Sequence, residues 1–127
     1  MPSSKTDKIK ILLAEDDRFL IKVLRLKLIK AGFEVLSAVD GEEAAQKILA
    51  EKPDLVLLDI IMPKKNGFEV LAELRNNPDV KDIPVIILSN LGQDKDVEQG
   101  KKLGATDYLI KTDLSLEEVV EKVNKYV

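Results

Sequence analysis

The sequence predicts an α/β fold, a doubly wound sheet of five parallel strands with helices on both faces. Three observations carry that prediction. Short apolar runs alternate with longer amphipathic segments along the whole chain, the pattern of strand–helix–strand units joined by right-handed crossovers. Two of the runs, residues 55–58 and 84–88, are continuously apolar, as strands covered on both faces are. No internal repeat or low-complexity segment interrupts the alternation, and 127 residues make one domain with a single sizeable core.

Residues 1–8 are polar and read as a flexible amino-terminal tail, so the folded unit is expected over 9–127. Residues 9–14 form the first strand candidate and run into three acids, Glu15, Asp16 and Asp17. The spacing of Ile21, Leu24, Leu28 and Ala31 predicts a helix over 17–31, stopped by Gly32. A second strand follows at 33–38, and Asp40-Gly41 opens a helix that reaches about residue 51, before Pro53. The central strand, 55–58, delivers Asp59 into a loop marked by Pro63 and Gly67.

A third helix is predicted over 68–75, ended by Asn76-Asn77-Pro78, and the fourth strand over 84–88 ends in Ser89-Asn90. The fourth helix, 94–103, has only Val97 and Leu103 as large apolar residues. Its Gly100 costs about 1 kcal/mol relative to alanine, so it is expected to be the most mobile helix. The fifth strand is read over 106–111. Ser115 and Glu118 form a capping box that opens the last helix, whose Leu116, Val119, Val120 and Val123 lie on one stripe.

Composition narrows the function. With 45% hydrophobic and 34% charged residues the chain reads as a globular protein. Its apolar runs are too short to cross a bilayer or to serve as a signal-peptide core, which makes a cytoplasmic location the expectation. The sequence contains no cysteine and no histidine, which removes disulfides, thiolate metal sites, thiol catalysis, histidine bases and any phosphohistidine. A net charge of −3 and a pI near 5.1 argue against nucleic-acid binding by this domain alone.

In a parallel α/β sheet, ligands bind at the carboxyl ends of the strands. There this chain offers Glu15 and Asp16, Asp59, Ser89 and Lys111. Each has an ordinary reading by itself: Asp16 or Asp17 as a helix cap, Asp59 as a turn residue, Ser89 as a strand end, Lys111 as a surface charge, Tyr108 as a core-edge aromatic. Their convergence on one edge favours chemistry. Carboxylates packed within a few ångströms repel one another unless a cation compensates. A hard divalent ion such as Mg²⁺, held by Asp16, Asp59 and a carbonyl of the following loop, is the natural compensator. With the ion and Lys111 the site nears neutrality and can accept a phosphoryl group, Asp59 acting as nucleophile and Ser89 as a donor to a phosphoryl oxygen.

These motifs resemble the response-regulator receiver domain of bacterial two-component signalling. They are Glu15-Asp16, Asp40-Gly41, the run from Asp59 through Met62-Pro63 to Gly67, Gly104-Ala105, and Tyr108 followed three residues later by Lys111. The resemblance covers residues 9 to about 126. It implies a flavodoxin-like strand order of 2-1-3-4-5, phosphorylation on Asp59, Mg²⁺ held by Glu15, Asp16, Asp59 and the Ile61 backbone carbonyl, phosphoryl contacts from Ser89 and Lys111, and a switch through Ser89 and Tyr108. The implied donor is a sensor histidine kinase or a histidine phosphotransfer protein. The implied output face is helix 4, strand 5 and helix 5, and the target protein is not named by the sequence. On this reading the chain is a signalling module rather than an enzyme, and, if it is complete, a single-domain receiver of the chemotaxis type.

The chain departs from the family pattern in three respects. Asn90 stands where a very small residue is usual. Thr112 follows Lys111 where a cis-proline is usual, and a non-proline cis bond costs about 2.5–4 kcal/mol, so a trans bond is expected. Ile61 and Leu91 are apolar and offer nothing to orient a water. Two other classes stay open: a haloacid-dehalogenase-type phosphatase, which places a second acid where this chain has Ile61, and a receiver-shaped interaction module that is never phosphorylated.

Overall fold

The computed structural model describes residues 8–127; residues 1–7, most of the expected tail, lie outside the described residues. The elements run β1 (Lys10–Ala14), α1 (Arg18–Lys30), β2 (Glu34–Ala38), α2 (Gly41–Glu51), β3 (Leu55–Leu58), α3 (Gly67–Arg75), β4 (Val85–Ser89), α4 (Asp94–Lys102), β5 (Asp107–Ile110), a 3-10 turn (Lys111–Asp113) and α5 (Leu116–Tyr126). The five strands are parallel and lie in the order β2-β1-β3-β4-β5, as the family resemblance implied.

Side-chain alternation splits the interior into two layers. On one face Leu12, Val56, Leu58 and Ile87 meet Ala44 and Ile48 of α2 and Val70, Leu71 and Leu74 of α3. On the other, Ile11, Leu13, Leu55, Leu57 and Ile86 meet Leu24 and Leu28 of α1 and Val119 and Val123 of α5. All four residues of β3 are fully buried, which is why this strand reads as an unbroken apolar run.

The helix ends follow local chemistry. Asp17 is the cap of α1 rather than its first residue, its carboxylate accepting from the Phe19 and Leu20 N–H groups at 3.0 and 3.1 Å. The Ser115–Glu118 capping box is present, and a second one, Asn66 with Glu69, opens α3. Helix α4 buries only Gly100, so it is thinly anchored, as its composition indicated.

One boundary needs correction: Lys111 is not the last residue of β5. The β4–β5 ladder ends where Ser89 pairs with Ile110, and with no strand partner beyond Ser89 the chain tightens into the 3-10 turn that begins at Lys111. No peptide bond among the described residues is cis, so Lys111–Thr112 is trans as expected.

The doubly buried β3 should be the least forgiving part of the sheet. Leu57→Ala is expected to cost about 3 kcal/mol, read as a lower urea midpoint at an unchanged m-value.

Candidate functional site

The carboxyl edge of the sheet assembles the site because β1 and β3 are neighbours in register, with Ala14 opposite Leu58. The next residue of each strand is therefore Glu15 beside Asp59. Backbone bonds fix both: the Glu15 N–H donates to Ala38 O at 2.9 Å and the Asp59 N–H to Ala14 O at 3.0 Å. Both acids are nearly fully buried, whereas Asp16 is exposed at the rim. Carboxylate oxygens of Glu15, Asp16 and Asp59 lie within 4.8 Å of one another, so the structure brings together the three acids picked out in the sequence.

Lys111 reaches the pair from across the sheet. Its Nζ lies 2.6 Å from Glu15 Oε1 and 3.0 Å from Asp59 Oδ2. The other oxygens are also held: Glu15 Oε2 accepts from the Asp17 N–H at 3.0 Å and Asp59 Oδ1 from the Ile60 N–H at 2.7 Å. Burial pushes the Glu15 carboxyl up to about 7, against the lowering effect of Lys111 and the Asp17 N–H, and the charge of Asp59 adds to the rise. Burial opposes the Lys111 ammonium, but its bonds to Glu15 and Asp59 more than offset this and hold its proton more tightly than usual.

Ser89 is buried at the end of β4. Its hydroxyl accepts from the Leu91 N–H at 3.3 Å, and no hydrogen bond joins it to Asp59 among the described residues. Tyr108 is half-buried with its hydroxyl donating to the Leu91 carbonyl. Asn90 is exposed. Ile61, two residues past Asp59, is 60% exposed.

Sequence reasoning missed the reason for two glycines it quoted as motifs. The loop after Asp59 is clasped between two helix starts. The Gly67 N–H donates to Ile60 O at 2.9 Å and the Gly41 N–H to Pro63 O at 3.2 Å. A Cβ on Gly67 would stand 2.2 Å from Asp59 O, and one on Gly41 would stand 1.8 Å from Lys65 O. Backbone packs on backbone at both places, which only glycine permits. Asp17 was also missed as the residue whose N–H orients Glu15; its identity as one of three adjacent acids gave no such signal.

Comparison with known proteins bears on what this edge does. The family model described as "Response regulator receiver domain" matches residues 11–124. The chain belongs to the response regulator receiver domain family. It is 43% identical over 105 residues to a probable transcriptional regulator, ycf27, of Cyanophora paradoxa, an alignment that covers 83% of this chain and 43% of that protein. It is 48% identical over 102 residues to the transcriptional regulatory protein CpxR of Klebsiella pneumoniae, covering 80% of this chain and 42% of that one. The chain thus spans less than half the length of these curated relatives. Among solved structures, the chemotaxis protein CheY4 of Vibrio cholerae superposes with a TM-score of 0.88 at 28% identity, over 94% of this chain and 99% of that one. The receiver fold is thus the setting of the acidic pocket, and that pocket is consistent with a phosphorylation site. No helix among the described residues is long and apolar enough to cross a membrane.

The acid cluster has a pH signature. Glu15 ionises near 4.5 when unfolded and near 7 when folded. The stabilisation that comes with its protonation is therefore fully present below about 4.5 and lost as pH rises through about 7. Glu15→Gln, which mimics the protonated form, should melt a few degrees above the parent at pH 8 in the absence of divalent metal and level with it at pH 4.5. Equal melting at both pH values would show that Glu15 carries no such strain.

Proposed function

We propose that residues 9–127 act as a phospho-accepting receiver in two-component signalling, with Asp59 as the acceptor. The observation that carries this reading is the Lys111 ammonium bridging two buried carboxylates, Glu15 and Asp59, beside a third acid. A structural ion pair would need one partner; three carboxylates sharing one lysine at an open rim suit a divalent cation, and with that charge added the site nears neutrality and can take a phosphoryl group.

The donor set fits Mg²⁺, since oxygen ligands from one or two carboxylates with water in the remaining positions are what that ion takes. Glu15, Asp16, Asp59 and the Ile61 backbone carbonyl would hold it. Bound there, Mg²⁺ would supply the positive charge that offsets the phosphoryl oxygens. An Asp59 carboxylate oxygen attacks phosphorus while the bond to the donor's leaving atom breaks, giving an acyl phosphate. Lys111 shifts one ion pair from carboxylate to phosphoryl oxygen, and Ser89 donates its hydroxyl proton to another.

Because the chain has no histidine, the phosphoryl group comes from outside it, from a sensor histidine kinase, a histidine phosphotransfer protein or a small donor. The signal leaves through α4, β5 and α5 to a protein target, from a cytoplasmic location. In this role the chain catalyses no reaction beyond its own phosphorylation and slow dephosphorylation.

Incubation with acetyl phosphate and Mg²⁺ should add one phosphate, stable in acid and labile in base, that disappears in Asp59→Asn. Labelling that survives in Asp59→Asn would move the acceptor elsewhere, and no labelling of the parent would leave an interaction module that is never phosphorylated.

Saturating Mg²⁺ should raise the melting temperature, by about 2.7 kcal/mol of stability at a hundredfold excess over Kd. Asp16→Asn should weaken that response. An identical shift in the variant would take Asp16 out of the metal site.

The acyl phosphate should be long-lived, because exposed Ile61 and half-buried Leu91 give an attacking water no hydrogen bond. Ile61→Asn combined with Leu91→Glu should speed phosphate loss several-fold; an unchanged half-life would refute the explanation.

A further inference from the structure

An open sheet ends in strands that have a single neighbour, and β2, paired only with β1, is one of them. Half of its backbone is satisfied by that neighbour. The Glu34 N–H donates to Ile9 O and the Glu15 N–H to Ala38 O, both at 2.9 Å, so residues 34, 36 and 38 address β1. The residues between them, Val35 and Ser37, turn their N–H and C=O groups outward, and no strand lies beyond β2 among the described residues. Such a row is a template for another strand. Two side chains of α2 occupy it. Lys47 Nζ donates to Ser37 O at 2.6 Å, and the Val39 N–H, next in the outward row, donates to Glu43 Oε1 at 2.8 Å. Glu43 Oε2 lies 3.2 Å from Lys47 Nζ, so ammonium and carboxylate are joined along the edge. They stand where an incoming strand would place its own donor and acceptor.

Neither bond is needed to start the helix, because the Asp40 carboxylate already caps α2 by accepting from the Glu43 N–H at 2.7 Å. Nor does the ion pair account for them, since a pair this exposed contributes little stability by itself. The Val39 N–H is also the largest of the effects that hold the Glu43 carboxyl below the usual carboxylate range. We propose that Glu43 and Lys47 close the outer edge of β2 against strand pairing with a second copy of this chain. That edge is self-complementary. About a twofold axis at Ser37, an antiparallel copy sets Ser37 opposite Ser37 and Val35 opposite Val39, and pairs the very groups that α2 now holds. The inference involves none of the acids of the phosphorylation site and stands apart from the receiver reading.

The test is the double variant Glu43→Ala with Lys47→Ala, in which alanine keeps α2 helical and leaves the edge bare. Its mass by light scattering should rise with concentration from 14.2 kDa toward twice that value, whereas the parent stays at the lower mass. As the variant associates, the Val35 and Ser37 amides should gain several-fold protection from hydrogen exchange. Adding Ser37→Pro, which removes an outward N–H and spares the ladder to β1, should restore the monomer. A double variant that stays monomeric at every concentration overturns the proposal. So does association that leaves the Val35 and Ser37 amides exposed or that survives Ser37→Pro, because another surface is then responsible. Protection of the same two amides in the parent as its concentration rises overturns it as well, because the edge is then not closed. Lys47→Ala alone keeps the Asp40 cap and the Glu43 bond, and covers the case in which the double variant folds poorly. It should associate at higher concentration, and in that case a folded Lys47→Ala chain that remains monomeric overturns the proposal.

Discussion

Two buried carboxylates on adjacent strands repel each other, and the molecule tolerates them because one ammonium sits between them. Unit charges about 4 Å apart interact by roughly 4 kcal/mol at an effective dielectric of 20, a sizeable fraction of a domain's net stability. Lys111 reaches both acids from the turn that begins where the β4–β5 ladder stops at Ile110. Strand length, sheet order and charge balance are thus one constraint.

Around that fixed centre, rigidity falls off in a graded way. The acids hang from strand ends whose backbone groups are paired across the sheet. The loop after Asp59 is clasped by Gly41 and Gly67 through close backbone contact. Beyond β4 the hold is lighter, a hydroxyl at each end of the Leu91 peptide and one buried glycine in α4. On the receiver function proposed above, a site that keeps its charges in place while passing on a change of state needs both kinds of support, and the fold supplies a tight clasp after Asp59 and a lighter hold after β4.

The amino-acid pattern revealed those parts of the architecture that depend on one residue at a time. Residues 55–58 and 84–88 read as interior strands because burial on both faces leaves no polar position. Glu15, Asp16, Asp59, Ser89 and Lys111 could be picked out because each carries chemistry and each stands at or just past the end of a strand. Other features depend on residues distant in sequence. Asp17, not Asp16, caps α1, and nothing in the identity of adjacent acids distinguishes them. The end of β5 is set by the length of β4. Gly41 fits against Lys65, a contact between segments that a local pattern does not relate. Leu91 is held through its peptide group, which every residue possesses, and so left no trace in its side chain.

The strict alternation of β3 sets limits on how such a chain can vary by descent. Leu55 and Leu57 face one layer, Val56 and Leu58 the other, and Asp59 follows directly. Gain or loss of a single residue within this strand would turn every side chain to the opposite layer and swing the acid away from Lys111. Any lineage that carries this centre must therefore conserve the count of residues between Asp54 and Asp59 more strictly than their identities. A connection at the opposite edge of the sheet, such as the 76–84 segment, can change in length without moving Asp59 against Lys111, at the expense of the Arg75 bonds to the Lys81 and Ile83 carbonyls.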